Sequence, residues 1–106
     1  MTDFHPVMNN TKWEELRLAM YAIKGGTTYR CMFITGHYSD PDGEWYYHFR
    51  QGGYDDIRYV DIFAKNQIHR EQIRGALERI HLPGEETENG FRVYGYAVPG
   101  QVLDYL

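Results

Sequence analysis

Two segments of the chain repeat apolar residues at the spacing of an amphipathic helix. The first carries a single stripe made of Trp13, Leu16, Ala19, Met20 and Ile23. Residues 11–14 read Thr-Lys-Trp-Glu, the capping-box pattern that predicts a helix start at Thr11. Gly25 and Gly26 supply the left-handed conformation that commonly ends a helix. We therefore expect one helix between these two signals.

The second helical segment follows Asn66, a favourable N-cap residue. Its apolar stripe consists of Ile73, Ala76, Leu77 and Ile80. Gly75 lies inside this segment and costs up to about 1 kcal/mol relative to alanine. Pro83 and Gly84 end the helix, and residues 85–90 predict an acidic, exposed loop.

Four shorter runs are rich in the β-branched and aromatic residues that suit a pleated strand. These runs cover residues 29–35, 44–49, 57–63 and 91–97. The turn-forming residues 39–43 predict that the first two runs pair as a hairpin. Residues 51–53 break the chain again before the third run.

Together these elements predict a single α+β domain with the order α-β-β-β-α-β. Its sheet would be four-stranded and mostly antiparallel, with both helices packed on one face. We place the domain at residues 10–98, after a flexible N-terminal segment, 1–9. Residues 99–106 form a C-terminal segment to which the sequence assigns no structure.

Alternation along the strands predicts which side chains face the helices, although a one-residue slip would reverse every assignment. The inward set of the second and last strands would be Trp45, Tyr47, Phe49, Phe91, Val93 and Ala97. The outward set would be Tyr46, His48, Arg50, Arg92, Tyr94 and Tyr96. For the first strand two inward sets compete, one with Tyr29, Cys31 and Phe33 and one with Met32 and Ile34.

Composition narrows the class of function. The 106 residues carry 11 basic and 15 acidic side chains, for a net charge of -4, which argues against nucleic acid as the partner. A single cysteine, Cys31, excludes an internal disulfide and a multi-thiolate zinc site. No apolar run approaches the ~20 residues needed to span a bilayer. We therefore expect a cytosolic protein without a membrane segment.

Ten tyrosines, five phenylalanines and two tryptophans exceed what a small core can enclose, and exposed aromatic rings favour recognition of a partner. We expect this partner to be another protein, of cationic character, bound without catalysis. The predicted anchors are Trp45, Tyr46, His48, Tyr94 and Tyr96. The predicted steering charges, which would speed association, are Asp40, Asp42, Glu44, Asp55 and Asp56.

Other chemistries have little support in the sequence. Residues 40–51 lack the Gly and Glu positions of a calcium loop, and no two histidines have the i, i+4 spacing of a helical zinc site. Ser39 and Cys31 lack the surroundings of a nucleophile. We therefore expect no metal, no cofactor and no catalytic residue.

Two alternatives remain open at this stage. The first is a small-ligand binder or enzyme that uses His48, Tyr46 and Arg50 or Arg92 in a cleft on the sheet. The second is a homodimer that covers its own tyrosine-rich face.

Three stretches, residues 9–20, 42–49 and 80–85, resemble a family of short uncharacterised bacterial proteins. The resemblance covers about residues 9–98 and implies no activity. In general character, the chain is similar to the immunity proteins that neutralise bacterial toxins, which is an analogy of class.

Overall fold

A computed structural model describes residues 3–106 of the chain. The helices are α1, Asn10–Ala22, and α2, Gln67–Ile80. The strands are β1, His5–Pro6; β2, Thr28–Phe33; β3, Ile57–Phe63; β4, Gly84–Glu86; β5, Gly90–Tyr94; and β6, Tyr96–Ala97.

Helix α1 forms where the apolar stripe predicts it, but its N-cap is not Thr11. The Asn9 side chain accepts a hydrogen bond from the Lys12 amide at 2.8 Å, so the helix begins at Asn10. The Asn9 side chain caps the Lys12 amide, whereas a Thr11 cap would have served the amide of Glu14, three residues after Thr11. The cap prediction was therefore wrong by two residues, while the buried stripe is correct for Trp13, Leu16 and Met20.

Helix α2 is capped by Asn66, as predicted, through a 2.8 Å bond from the His69 amide. It ends at Ile80, where His81 takes the left-handed conformation with φ of 65°. The predicted stripe of α2 is buried throughout.

The α+β class and the four-stranded antiparallel sheet are confirmed. Strand order is β2-β3-β5-β4, and all three pairings are antiparallel. Register places the buried strand residues on one face in two rows: Tyr29 beside Ile62 and Phe91, and Cys31 beside Val60 and Val93. These residues share one core cluster with the buried stripes of both helices. The ambiguity in the first strand is thereby resolved in favour of Tyr29 and Cys31.

The predicted strand at residues 44–49 is wrong, and with it the order α-β-β-β-α-β. Residues 45–52 form consecutive turns, in which Trp45 and Phe49 are both buried while Tyr47 is 63% exposed. A strand would bury residues i, i+2 and i+4 together, so burial at i and i+4 with exposure at i+2 follows a turn of helix-like pitch instead. The edge of β2 is instead bridged by loop residues, at Met32 with Tyr38 and at Tyr29 with Asp42.

A strand that the sequence pattern missed, β4, lies within the predicted acidic loop. Gly84, Glu85 and Glu86 have low β-propensity, and they form a strand because they pair with β5. The Glu86 carboxylate also binds Arg70 at 3.0 Å and Arg74 at 2.7 Å on helix α2. The contacts of β4 with β5 and α2 therefore outweigh the low β-propensity of its residues.

Within the described residues, both terminal segments contact the rest of the domain. The N-terminal segment 1–9 begins with two residues outside the described range, but β1 pairs with β6. In the C-terminal segment, the Leu106 amide donates to the Leu82 carbonyl at 2.8 Å. The division of the chain at residues 9 and 98 stays a prediction.

Two glycines in regular elements should respond oppositely to alanine. At Gly75 a Cβ atom would meet nothing closer than an Arg79 guanidinium nitrogen at 3.6 Å, so Gly75→Ala should raise the free energy of unfolding by about 0.5–1 kcal/mol. At Gly90 a Cβ would lie 1.9 Å from the Ile62 carbonyl oxygen, so Gly90→Ala should be destabilising. Urea unfolding measures both. A destabilised Gly75→Ala or an unchanged Gly90→Ala would contradict this packing.

Candidate functional site

Residues 45–53, which we call the turn segment, are held to the rest of the domain by aromatic packing. Trp45 is 2% exposed and Phe49 is 3% exposed. The Trp45 ring lies 4.4 Å from the ring of Tyr29 and 4.6 Å from that of Phe49, measured between centroids. Its indole N–H donates to the Thr27 carbonyl at 2.7 Å. Trp45, a predicted anchor for a partner, is therefore part of the core and not of a contact surface.

Helix α1 holds the same segment through a polar cluster. Arg17 donates to the Tyr46 carbonyl at 2.7 Å and to the Glu14 carboxylate at 2.8 Å. Tyr54 donates its hydroxyl to the other Glu14 oxygen. The bond from Arg17, followed by that from Tyr54, lowers the pKa of Glu14, which therefore stays ionised at neutral pH.

The Glu44 carboxylate organises the start of the segment. It accepts hydrogen bonds from the amides of Tyr46 at 3.0 Å, Tyr47 at 2.8 Å and His48 at 2.8 Å. Bonds from these backbone amides, that of His48 foremost, lower the pKa of Glu44. This carboxylate gives the amides an alternative to a strand ladder, which explains locally why a turn forms.

Outside this anchored segment lies an exposed aromatic surface, which we call the tyrosine patch. It consists of Leu18, Tyr21, Tyr46, Tyr47 and Arg50. The exposed fractions are 47% for Leu18, 58% for Tyr21, 37% for Tyr46 and 63% for Tyr47. Centroid distances are 5.2 Å from Tyr21 to Tyr46 and 4.8 Å from Tyr46 to Tyr47. The Arg50 guanidinium lies over the last two rings, 5.5 and 5.7 Å from their centroids.

Between β2, the loop after it and the turn segment lies a small enclosure, which we call the edge cavity. Its volume is about 110 Å³. Buried side chains of Tyr29, Cys31, Phe49 and Ile57 line its interior. Its polar lining comes from Ser39, Asp40, Asp42, His48 and Gln51. His48 Nδ1 lies 2.8 Å from the Asp42 carboxylate.

The face of the sheet opposite the helices is filled by its own side chains. Asp61 accepts two bonds from Arg92, at 2.7 and 3.1 Å, and one from the Tyr38 hydroxyl at 2.6 Å. Burial, followed by this bond, raises the pKa of Tyr38 to about 12. The Arg92 guanidinium in turn stacks on Tyr59, 4.0 Å from the ring centroid. This face therefore already satisfies its strongest polar groups.

The predicted anchors fall in different places. Tyr46 belongs to the tyrosine patch, and His48 lines the edge cavity. Tyr94 faces away from the helices, as predicted, whereas Tyr96 lies in β6, outside the four-stranded sheet, and both are mostly buried. Tyr94 donates its hydroxyl to Glu85 at 2.8 Å, and Tyr96 donates to the Asp55 carbonyl.

The predicted steering charges also divide into two groups. Asp40, Asp55 and Asp56 are exposed. Asp42 accepts bonds from the Glu44 amide and His48, both at 2.8 Å, and Glu44 caps three amides. The carboxylates of Asp42 and Glu44 therefore stabilise the local fold, in addition to any contribution to the electric field outside the protein.

Sequence reasoning missed three members of the tyrosine patch. Leu18 and Tyr21 lie off the buried stripe of α1, and three-residue spacing puts them on one side of the helix. Their apolar character at positions away from the buried stripe of α1 was a signal in the sequence that could have identified Leu18 and Tyr21. Tyr47 was assigned inward by strand alternation, which the turn geometry invalidates.

Within residues 3–106, no group of three or more His, Cys, Asp or Glu side chains is arranged to hold a metal ion. Across the same residues, no helix has both the length and the apolar character required to cross a bilayer.

Burial, followed by the charges of Asp42 and Asp61, raises the pKa of Cys31 to about 12. Its thiol is therefore protonated and weakly nucleophilic at neutral pH.

Comparison with known proteins identifies one family. Residues 1–100 match the model of a family of unknown function, DUF6678. No curated protein and no solved structure matches the chain.

Removing the Glu44 carboxylate should destabilise the turn segment. We expect Glu44→Ala to lower the melting temperature at pH 7 and to speed hydrogen exchange of the Tyr46, Tyr47 and His48 amides. Because the folded pKa of Glu44 is lowered, its contribution is complete above the unfolded pKa and is lost as the pH falls through the folded pKa. The difference from wild type should therefore shrink on acidification.

Glu15→Ala is the matched control, since Glu15 is an exposed residue of α1 whose side chain makes no hydrogen bond to residues 3–106. It should leave melting temperature and amide exchange unchanged. Equal melting temperatures and equal amide exchange rates for the two variants at pH 7 would contradict the capping role of Glu44.

Proposed function

Because the chain belongs to DUF6678, a family of unknown function, its role must be inferred from its own surface, and we propose that it is a non-enzymatic protein-binding module. The observation that carries this proposal is the tyrosine patch. The partner is a cationic protein, contacted in the bacterial cytosol without chemical change.

The composition of the tyrosine patch suits protein recognition. Tyrosine provides a large and stiff contact area at low entropic cost, and it is enriched with arginine among interface hot spots. Tyr21 and Tyr47 are more than half-exposed, and Arg50 stacks against Tyr46 and Tyr47. The patch rests on an anchored backbone, because Arg17 and Glu44 hold the segment that carries two of its rings. Such preorganisation lowers the cost of binding.

The charge of the protein supports a cationic partner. The net charge is -4, and three exposed aspartates, Asp40, Asp55 and Asp56, lie in loops on either side of the turn segment. Exposed charges of one sign accelerate encounter with a partner of the opposite sign. In its most concrete form, this module neutralises a toxin by stoichiometric contact, in the manner of an immunity protein.

The alternative of an enzyme built on a His, Tyr and Arg cluster has less support. His48 lines the edge cavity, whereas Tyr46, Arg50 and Arg92 do not. Arg92 is instead bound to Asp61 on the other side of the sheet. Catalysis by this cluster would require convergence on one substrate.

The tyrosine patch is tested by substituting its most exposed rings. Immobilised wild-type protein should retain a basic protein from the cells that encode it, at a 1:1 ratio, with micromolar affinity or better. Tyr21→Ala/Tyr47→Ala should weaken that affinity by about 30-fold, the effect of losing one hot spot of about 2 kcal/mol.

Ile68→Ala is the control, because Ile68 is 75% exposed on helix α2 and lies outside the tyrosine patch. It should bind as wild type does. Retention that is equal in wild type and the double variant, or the absence of any stoichiometric basic protein, would contradict the proposal. Light scattering that shows a dimer disrupted by the double variant would assign the patch to self-association instead.

Electrostatic steering is tested separately from the patch by the association rate. Asp55→Asn/Asp56→Asn should slow association by about tenfold at low ionic strength, and the difference should shrink towards ~0.15 M salt. The charge-matched control is Glu78→Gln/Glu88→Gln, which alters exposed carboxylates on helix α2 and the β4–β5 turn. If both double variants slow association equally, then net charge and not the position of these loops governs the rate.

A further inference from the structure

The edge cavity presents an unusual combination of aromatic walls and hydrogen-bond acceptors. Tyr29 and Phe49 line it with ring surface, and each is nearly fully buried. Around its polar part lie the carboxylates of Asp40 and Asp42 together with the His48 imidazole. Because His48 Nδ1 lies 2.8 Å from the Asp42 carboxylate, a neutral His48 donates through Nδ1 and keeps Nε2 as an acceptor.

The rim has capacity left for a ligand. Asp42 is already engaged by the Glu44 amide and by His48. The Asp40 carboxylate makes no hydrogen bond or ion pair to any residue of the 3–106 range, and it is exposed. A carboxylate and an imidazole Nε2 that both accept hydrogen bonds match a group that only donates them and carries a positive charge, as the ammonium of lysine and the guanidinium of arginine do.

The charged groups around the cavity favour a positive occupant. Burial, which disfavours any charge, is the main cause that raises the pKa of both Tyr29 and Cys31, and the negative charge of Asp42 raises them further, so these interior groups remain neutral. Aromatic ring faces add attraction for cations. An anion would meet two carboxylates without an opposing cation among the cavity-lining residues.

Size restricts the occupant to one small group. The cavity holds about 110 Å³, less than the roughly 150 Å³ of a protein cavity that accommodates benzene. A nucleotide or a sugar is too large, whereas the end of one long side chain fits. The cavity lining includes His48 and Phe49, which directly follow Tyr46 and Tyr47 of the tyrosine patch in the chain, so a partner on the patch lies near the cavity.

We propose that the edge cavity binds the cationic end of a lysine or arginine side chain. This inference rests on the proposed function for the identity of the partner, and it adds the group that the partner inserts. Asp40 and His48 bind the inserted cation, Asp42 orients His48, and the rings of Tyr29 and Phe49 contact the cationic end, while the alkyl stem leads out to the partner.

The test uses small side-chain mimics and needs no partner protein. n-Butylammonium and n-propylguanidinium are titrated into the full-length protein while amide and side-chain NMR shifts are followed. At least one should shift Cys31, His48 and Phe49 saturably, with a dissociation constant on the order of 1–10 mM, as expected for so few atoms. The relative affinity of the two probes shows whether an ammonium or a guanidinium is preferred.

Uncharged and anionic probes of similar size serve as controls. n-Butanol and butyrate should leave the same resonances unchanged. Saturable binding of n-butanol with equal affinity would overturn the proposal, because the cavity would then recognise alkyl groups without regard to charge. The absence of saturation by either cation up to about 100 mM would also overturn it.

Two variants test whether the cation binds in the edge cavity. Asp40→Asn should weaken cation binding by about fivefold, the value of one Coulomb contact at 4 Å in water. His48→Leu removes the Nε2 acceptor and should also weaken binding. Asp104→Asn, a charge-matched change at an exposed residue outside the cavity lining, should bind as wild type does. Equal affinities for Asp40→Asn and Asp104→Asn would place the cation elsewhere and overturn the assignment.

The outcome is independent of the partner experiment. Loss of cation binding with intact dependence on Tyr21 and Tyr47 would reject the cavity and retain the protein-binding module. Cation binding without any dependence of a partner on the tyrosine patch would reject the module and retain the cavity as a cation site.

Discussion

Aromatic packing around Trp45 is the interaction on which the candidate surfaces depend. Residues 45–52 belong to no sheet, so ladder hydrogen bonds do not fix their position. They are fixed because Trp45 and Phe49 insert beside Tyr29, and because the indole N–H reaches the Thr27 carbonyl. The tyrosine patch lies on the outer side of this segment and the edge cavity at its margin, so both require the segment to stay docked.

The same dependence explains how the aromatic surplus is distributed. Trp13, Tyr29, Trp45, Phe49 and Tyr54 form a buried group linked by ring contacts. Other tyrosines on the sheet support arginine side chains, as Tyr59 does for Arg92. Tyr21, Tyr46 and Tyr47 remain as a contiguous exposed set. Many of the aromatic residues are thus buried in the core, and only part of them is exposed and available for recognition of a partner.

The sequence predicts the regular elements better than the site. Both helices, strand β3 and the outward positions Arg92 and Tyr94 of β5 follow from periodicity, because the opposite side of each element packs against one large apolar layer. Tyr96 lies in β6, which pairs with β1 and not with the four-stranded sheet. Periodicity fails at Trp45 to Phe49, where the Glu44 carboxylate binds amides that a strand would have used. It fails again at β4, whose residues pair only because β5 lies beside them. The tyrosine patch and the edge cavity each combine residues of an irregular segment with residues distant in the sequence. No local sequence pattern predicts that these residues lie together.

The docking of Trp45 can be measured most directly by nuclear Overhauser effects in the aromatic region of the NMR spectrum. The account predicts strong cross-peaks from the Trp45 indole to the Tyr29 and Phe49 rings, whose centroids lie 4.4 and 4.6 Å away, with a slowly exchanging indole N–H. A Trp45 indole that lacks these cross-peaks and exchanges as fast as a solvent-exposed indole would contradict it.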